Sequence, residues 1–255
     1  MNKKVVLLAL AMVLAFTACG RKADIKETDS VLESDEEITG PEEERAEDPG
    51  AGDVQEPEEA SVPEPETGEA EGTEPAFSKG TVYEDGWESE WAGMRFTAPE
   101  GMKMTTEEEL DALMGISADL LSEDLGEAEL KYAELTSVKE MMCVDEGTNA
   151  NVIVSVDLLP GKITEELFAQ ALEETLSNIS AMEYESTGSN EWVEIAGLNF
   201  LKSGYYVEAV GKKMYMDYYM RSTGLGYRAV SIVVTYGEGC EEQVRAMLEG
   251  FQSYE

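Results

Sequence analysis

One segment of this sequence, residues 21–76, cannot supply a hydrophobic core, and it therefore confines the fold to the rest of the chain. It holds 21 Asp or Glu residues against 4 Lys or Arg, six of the chain's eight prolines, and few large apolar side chains. Such a segment buries too little apolar surface to offset the entropy lost on ordering. We therefore expect residues 19–77 to form a disordered acidic linker and residues 78–255 to form one folded domain. An acidic tail that binds a basic partner or calcium is the alternative role of the linker.

The N-terminal residues carry the pattern of an export signal. Two lysines precede an apolar run, residues 5–15, which is shorter than the roughly 20 apolar residues of a bilayer span. The sequence Thr17-Ala18-Cys19-Gly20 that follows resembles the lipobox of bacterial lipoproteins. The resemblance implies that residues 1–18 are a signal peptide and that Cys19 carries a lipid. The protein would then be anchored in the cell membrane and face outside the cytoplasm. An ordinary signal peptide that leaves a free secreted protein is the alternative.

The charge of the folded part excludes one class of partner. Residues 77–255 contain 34 acidic against 12 basic side chains. Nucleic-acid phosphates and anionic head groups would be repelled by this surplus, so we expect no nucleic acid as a partner. The protein would contact the membrane through its lipid anchor. We expect its binding partner to be another envelope or extracellular protein.

Hydrophobic periodicity predicts an α+β domain. Alternating or continuous apolar runs indicate strands, and apolar residues at helical spacing behind a capping residue indicate helices. The predicted strands are a pair about Gly93 and residues 140–145, 151–159, 191–195, 201–210, 213–222 and 227–236. The predicted helices begin at Thr105, which forms a capping box with Glu108, at Thr164, and near Cys240, the last with Val244, Met247, Leu248 and Phe251 on one side. This order predicts a mainly antiparallel β-sheet with helices packed on it.

The opening and the close of the domain resemble a known family. The opening reads Trp91-Ala92-Gly93-Met94-Arg95-Phe96-Thr97-Ala98-Pro99, an aromatic-Gly-x-x-Phe-x-x-Pro pattern. With a strand entry at Gly197 and a closing helix that carries Met247, Leu248 and Phe251, it resembles PsbP-like (Mog-like) domains. The resemblance implies an α/β/α sandwich and a non-enzymatic accessory role in binding other proteins. The resemblance assigns no catalytic residue to this chain.

The residue inventory argues against most catalytic chemistry. Histidine is absent, which removes Ser-His and Cys-His nucleophile pairs and the commonest zinc ligand. The sequence Gly224-Leu225-Gly226-Tyr227-Arg228-Ala229 matches a dinucleotide-binding pattern, but strands on both sides predict a hairpin loop instead. We therefore predict no enzyme and no cofactor. A small envelope hydrolase that uses a pair of Asp or Glu side chains stays an alternative.

Two further features leave alternatives open. The turn Asp145-Glu146-Gly147-Thr148-Asn149 offers oxygen ligands, so a calcium- or solute-binding module is an alternative function, although an ordinary polar hairpin turn is favoured. Cys143 and Cys240 either form a disulfide, as two cysteines outside the cytoplasm can, or are two small buried hydrophobic residues.

The candidate partner surface lies on the long hairpin, which we expect to turn at Gly211-Lys212. That pairing places Tyr205, Val207 and Ala209 on one face with Met214, Met216 and Tyr218, and this face is expected to be core. The opposite face carries Tyr206, Tyr215, Tyr219 and Arg221 with Glu208 and Asp217 around them. Tyrosine and arginine are enriched at protein contacts, so these residues form a predicted partner surface. The alternative is that a helix covers the face.

Overall fold

The computed structural model describes residues 76–121, 136–159, 161–177, 183–188, 190–209, 212–224 and 227–254. The predicted signal peptide, the lipid-bearing Cys19 and nearly all of the acidic linker lie outside the described residues. No helix in the described part has the length and hydrophobicity that a transmembrane span requires.

Two antiparallel sheets build the domain. The smaller has the order β1-β2-β3-β12. Its strands are β1 (Thr81–Tyr83), β2 (Gly86–Ser89), β3 (Met94–Thr97) and β12 (Phe251–Ser253). The larger has the order β4-β5-β6-β11-β10-β9-β7, and β8 also pairs with β9. Its strands are β4 (Met102–Met104), β5 (Ser137–Asp145), β6 (Asn151–Leu158), β7 (Glu183–Ser186), β8 (Glu191–Ile195), β9 (Leu198–Ala209), β10 (Lys212–Ser222) and β11 (Arg228–Tyr236).

Three described helices complete the fold: α1 (Glu107–Leu121), α2 (Glu165–Ser177) and α3 (Glu241–Glu249). Thr164 caps α2 as predicted, since its Oγ1 accepts a hydrogen bond from the Leu167 N–H at 3.4 Å. The capping box of α1 lies one residue later than predicted. Thr106 N–H donates to Glu109 Oε2 at 2.9 Å, and Glu109 N–H donates to Thr106 Oγ1 at 3.2 Å.

Helices lie on both faces of the large sheet. On one face, α2 packs Phe168 and Leu172 against Tyr218, and Met114 of α1 joins the same cluster. The other face packs against α3 and the small sheet. Its cluster includes Met247 of α3 together with Trp87, Met94, Phe96 and Phe251 of the small sheet. The predicted fold class, α+β with a mainly antiparallel sheet and helices packed on it, is therefore confirmed.

The last predicted helix is too long by two residues at its C-terminal end. α3 ends at Glu249, and Phe251 begins strand β12 instead of continuing the helical stripe. Phe251 pairs in register with Phe96 of β3, and the two rings lie 4.8 Å apart. As a strand residue, Phe251 completes the small sheet and packs against Phe96. These two contacts favour the strand over a further stretch of helix.

The long hairpin is confirmed, but its register differs from the prediction. Lys212 pairs with Ala209, so the turn falls at residues 210–211, which lie outside the described residues. The observed register places Tyr215 opposite Tyr206 and Lys213 opposite Glu208. These aromatic and opposite-charge pairs stabilise it over the predicted register. Since the pairing moves by two positions, each side chain keeps its face.

Candidate functional site

A row of three tyrosines crosses the large sheet at one end of the face that packs against α3. Tyr215 on β10 is flanked in register by Tyr206 on β9 and by Tyr236 on β11. The Tyr206 and Tyr215 rings meet edge to face at 5.1 Å, and the Tyr215 and Tyr236 rings stack at 5.4 Å. All three side chains are half-buried. We call these residues the tyrosine row.

Strand geometry explains why these side chains converge. Alternate residues of a strand point to the same face, and directly paired residues in adjacent strands are neighbours. Further along the same face, Val234, Ile232 and Phe200 are fully buried in the core. The tyrosine row thus lies where the side chains of this face change from fully buried to half-buried.

A buried carboxylate binds one tyrosine of the row and a neighbouring lysine. Asp217 is 7% exposed, and its Oδ2 lies 3.2 Å from the Lys202 ammonium and accepts a hydrogen bond from the Tyr236 hydroxyl at 3.2 Å. Lys202 also lies 3.7 Å from Glu191. Burial, followed by the charge of Asp217, raises the pKa of Tyr236 and of Tyr219. Both hydroxyls therefore stay protonated at physiological pH and act as neutral hydrogen-bond donors.

The rim of the row is mainly acidic. Lys213 lies over the Tyr206 ring at 5.5 Å and 3.8 Å from Glu208. Glu183 and Glu185, which pair with β9 from the edge strand β7, are exposed. A partner that approaches the row therefore meets aromatic surface surrounded by negative charge.

A depression of about 380 Å³ lies further along the same face of the sheet, where β8 and β9 meet α3. Lys202 and Tyr219 line it from the sheet, and Arg245 and Leu248 line it from the helix. Lys202 lies 3.2 Å from Asp217, so this partly buried charged pair links the depression to the carboxylate that binds Tyr236.

The structure brings together only part of the predicted partner surface. Tyr206 and Tyr215 are neighbours, but Tyr219 is only 3% exposed and belongs to the core. Arg221 lies six positions from Tyr215, about 20 Å along the strand. There it faces Glu165 at the start of α2, whose charge offsets part of the burial that lowers the Arg221 pKa.

Sequence reasoning missed Tyr236 and Lys202 as members of the site. Tyr236 joins the row only through the pairing of β10 with β11, which no local pattern specifies. Lys202 could have been predicted, because it is separated from Tyr206 and Glu208 by an even number of positions on the same strand and therefore lies on the same face.

The other predicted features are ordinary structural ones. Cys143 and Cys240 are free, buried thiols, so the alternative of two small hydrophobic residues describes them, and burial raises the pKa of Cys143 to about 11. Asp145 Oδ1 accepts the backbone N–H groups of Gly147 at 2.8 Å and Thr148 at 3.0 Å, which closes a hairpin turn. Among the described residues, no group of three or more His, Cys, Asp or Glu side chains could hold a metal ion.

The glycine-containing sequence after β10 is the predicted hairpin connection. Ser222 pairs with Ala229, and Thr223 N–H donates to the Arg228 carbonyl at 3.1 Å. Antiparallel strands stand on both sides, and the helix that a dinucleotide-binding turn requires does not follow.

Neither a family model nor a curated protein sequence matches this chain. Solved structures show partial likeness. One is LpqN of Mycobacterium tuberculosis, described as involved in cell envelope biogenesis, at 10% identity and TM-score 0.38 over 62% of this chain and 82% of LpqN. Another is the Ran-binding protein Mog1p of Saccharomyces cerevisiae, at 12% identity and TM-score 0.38 over 68% of this chain and 96% of Mog1p.

A third partial likeness is to a protein of Bacteroides thetaiotaomicron, at 12% identity and TM-score 0.37 over 69% of this chain and 48% of that protein. This chain therefore spans about half the length of the Bacteroides protein. TM-scores below 0.5 do not establish a family, and the resemblance to PsbP-like domains remains a prediction.

Proposed function

We propose that this protein is a membrane-anchored, extracytoplasmic lipoprotein whose folded domain binds another envelope or extracellular protein and catalyses no reaction. The lipid on Cys19 holds the chain at the membrane, and the acidic linker separates the domain from it. The observation that carries the binding role is the tyrosine row, Tyr206, Tyr215 and Tyr236. Three adjacent half-buried aromatic side chains on a rigid sheet give a partner a large contact area at low cost in side-chain entropy.

The surroundings of the row indicate the chemistry of the partner. Glu183, Glu185 and Glu208 flank it from β7 and β9, and Glu241 stands near Tyr236. Lys213 is the exposed cation that lies against the row. A protein surface with an apolar centre and Lys or Arg side chains around it complements this arrangement.

Site-specific photocrosslinking in intact cells tests this function. The photoreactive residue p-benzoylphenylalanine is placed at Tyr206 in one full-length variant and at Tyr227 in a matched control. Tyr227 is 58% exposed and lies outside the row. We expect one discrete crosslinked protein at position 206, none at 227, and loss of the position-206 product when Tyr215 is changed to Ser. Equal crosslinking at both positions, or none at 206, would contradict the proposal.

A further inference from the structure

A cleft of about 820 Å³ separates the two sheets at the end opposite to β9, and the proposed partner surface does not use it. Its walls are the segment that contains β1 and the segment that contains β4, and each of these strands is an edge strand of its own sheet. Val82, Met102, Met104 and Leu110 contribute apolar surface. The volume and the mainly apolar lining fit a site for a small molecule.

One buried carboxylate lies at the floor of this cleft. Glu140 is 1% exposed and sits at the bulge between Lys139 and Met141, where the β5–β6 register shifts. A bulge redirects a side chain from the regular alternation of its strand. Oε2 of Glu140 accepts hydrogen bonds from the Gly80 N–H at 2.6 Å and from Trp87 Nε1 at 3.2 Å.

The second oxygen of Glu140 is unsatisfied. Oε1 is buried, and no residue in the described part of the chain donates a hydrogen bond to it. A buried acceptor without a donor destabilises the fold, and more so when it is charged, so a ligand that donates a hydrogen bond to this oxygen would be stabilised there. Gly80 allows this packing, because a Cβ there would lie 2.7 Å from Oε2 of Glu140 and 2.6 Å from the Glu88 carbonyl oxygen.

The lysines of the cleft have other partners. Lys79 pairs with Glu107 at 2.8 Å and Lys103 pairs with Glu109 at 3.0 Å, and both pairs are solvent-exposed. The charge of Lys79 acts on Glu140 and partly opposes the burial that raises the Glu140 pKa, but no ion pair within 4 Å joins the two side chains. Glu84 adds a further carboxylate to the wall. The carboxylates of the cleft therefore outnumber the cations available to them.

We propose that the β1–β4 cleft binds a small organic cation: a primary ammonium or guanidinium group pairs with Glu140, and its apolar body lies against Val82, Met102 and Met104. The cation supplies the donor that Oε1 lacks, and a hydrogen bond between charged groups in a water-poor site is stronger than one between neutral groups. This site is independent of the tyrosine row.

Titration of the full-length protein with n-hexylamine, a cation at neutral pH, tests the proposal, with 1-hexanol as the neutral probe of similar size. Tryptophan fluorescence reports binding, because Trp87 donates to Glu140. We expect saturable binding of hexylamine at least tenfold tighter than that of hexanol, the ratio that corresponds to about 1.4 kcal/mol. The absence of saturable binding, or equal affinity for both probes, would overturn the proposal.

Variants separate the role of Glu140 from a general effect of negative charge. Glu140→Gln keeps the shape of the side chain, and we expect it to weaken hexylamine binding at least tenfold. Glu84→Gln removes an exposed acid from the same cleft and should change the affinity less than twofold. If Glu140→Gln fails to fold, Val82→Lys serves instead. Val82 is 41% exposed, and the introduced ammonium group should compete with the probe and abolish its binding.

Equal losses of affinity in the Glu140 and Glu84 variants would contradict a specific pair with Glu140, as would retention of binding in Val82→Lys. Photocrosslinking from position 206 should be unchanged in Glu140→Gln, so failure of this proposal is distinguishable from failure of the proposed function.

Discussion

The Ser231 hydroxyl donates a hydrogen bond to Oδ2 of Asp157 at 3.2 Å, and both side chains are completely buried in the middle of the large sheet. Oδ1 of Asp157 has no hydrogen-bond partner in the described part of the chain. Burial raises the pKa of Asp157, and the charge of Lys139 on the neighbouring strand partly opposes this effect. A protonated Asp157 is therefore favoured by the folded state more than by the unfolded chain.

We expect Asp157→Asn to change how stability depends on pH. Because the folded pKa is raised, the folded state binds more protons than the unfolded state between the unfolded value, about 3.9, and the folded value. The free energy of unfolding of the wild type should therefore fall as pH rises through that window, and the variant should lack this part of the fall. Urea unfolding from pH 4 to pH 8 measures the difference. Asp111→Asn, at an exposed position of α1, should run parallel to the wild type.

We expect Leu172→Ala to lower the free energy of unfolding by about 2–5 kcal/mol, because Leu172 is fully buried between α2 and the large sheet. Leu167 is on the same helix but is 50% exposed, so Leu167→Ala should stay within about 0.5 kcal/mol of the wild type. Chemical denaturation of both variants at one pH is the measurement. Similar losses in the two variants would show that α2 does not pack as described.

Replacement of two tyrosines by Phe should change the free energy of unfolding in opposite directions. The Tyr218 hydroxyl is buried without a partner among the described residues, so Tyr218→Phe should raise the free energy of unfolding by about 1 kcal/mol. Tyr236→Phe removes a hydrogen bond to Asp217 and should lower it by about 1 kcal/mol. Urea unfolding gives both values, and a loss of stability in Tyr218→Phe would argue for an unseen hydrogen bond.

Replacement of Cys19 should release the protein from the membrane. We expect the wild type in the membrane fraction, with a diacylglycerol-sized mass on an N-terminal Cys19, and Cys19→Ser in the soluble fraction. Cys240→Ala changes a buried thiol of the core and should stay with the membrane. Mass spectrometry and fractionation together decide the outcome, and an unmodified Cys19 in native material would contradict the anchor.

Local patterns of the sequence were sufficient for the central strands and for α2. Val152, Val154 and Val156 alternate in the sequence and are all completely buried on one face of β6. Thr164 and the apolar stripe behind it locate the start of α2 to within one residue. In α2 one stripe meets the core, and in β6 the valines share one face, so the period of the apolar residues is visible in the sequence although both faces of β6 are buried.

Features that depend on pairing between distant segments were not predictable in the same way. The division into two sheets, the switch of Phe251 from helix to strand and the entry of Tyr236 into the tyrosine row all follow from strand partners far apart in the chain. Glu140 is an ordinary strand acid in the sequence, and the bulge beside it is needed to explain its position. No local signal specifies such long-range choices.

Strand β12 has a consequence for biosynthesis. Phe251 packs in the same cluster as Trp87, Met94 and Phe96, which lie about 160 residues earlier in the chain. During synthesis, Trp87, Met94 and Phe96 are made early. The ribosome must then add almost all of the remaining domain before Phe251, which packs against them, is made. The nascent domain thus carries an uncovered aromatic surface for most of its synthesis, and chaperones that recognise exposed aromatic residues have a long interval in which to bind it.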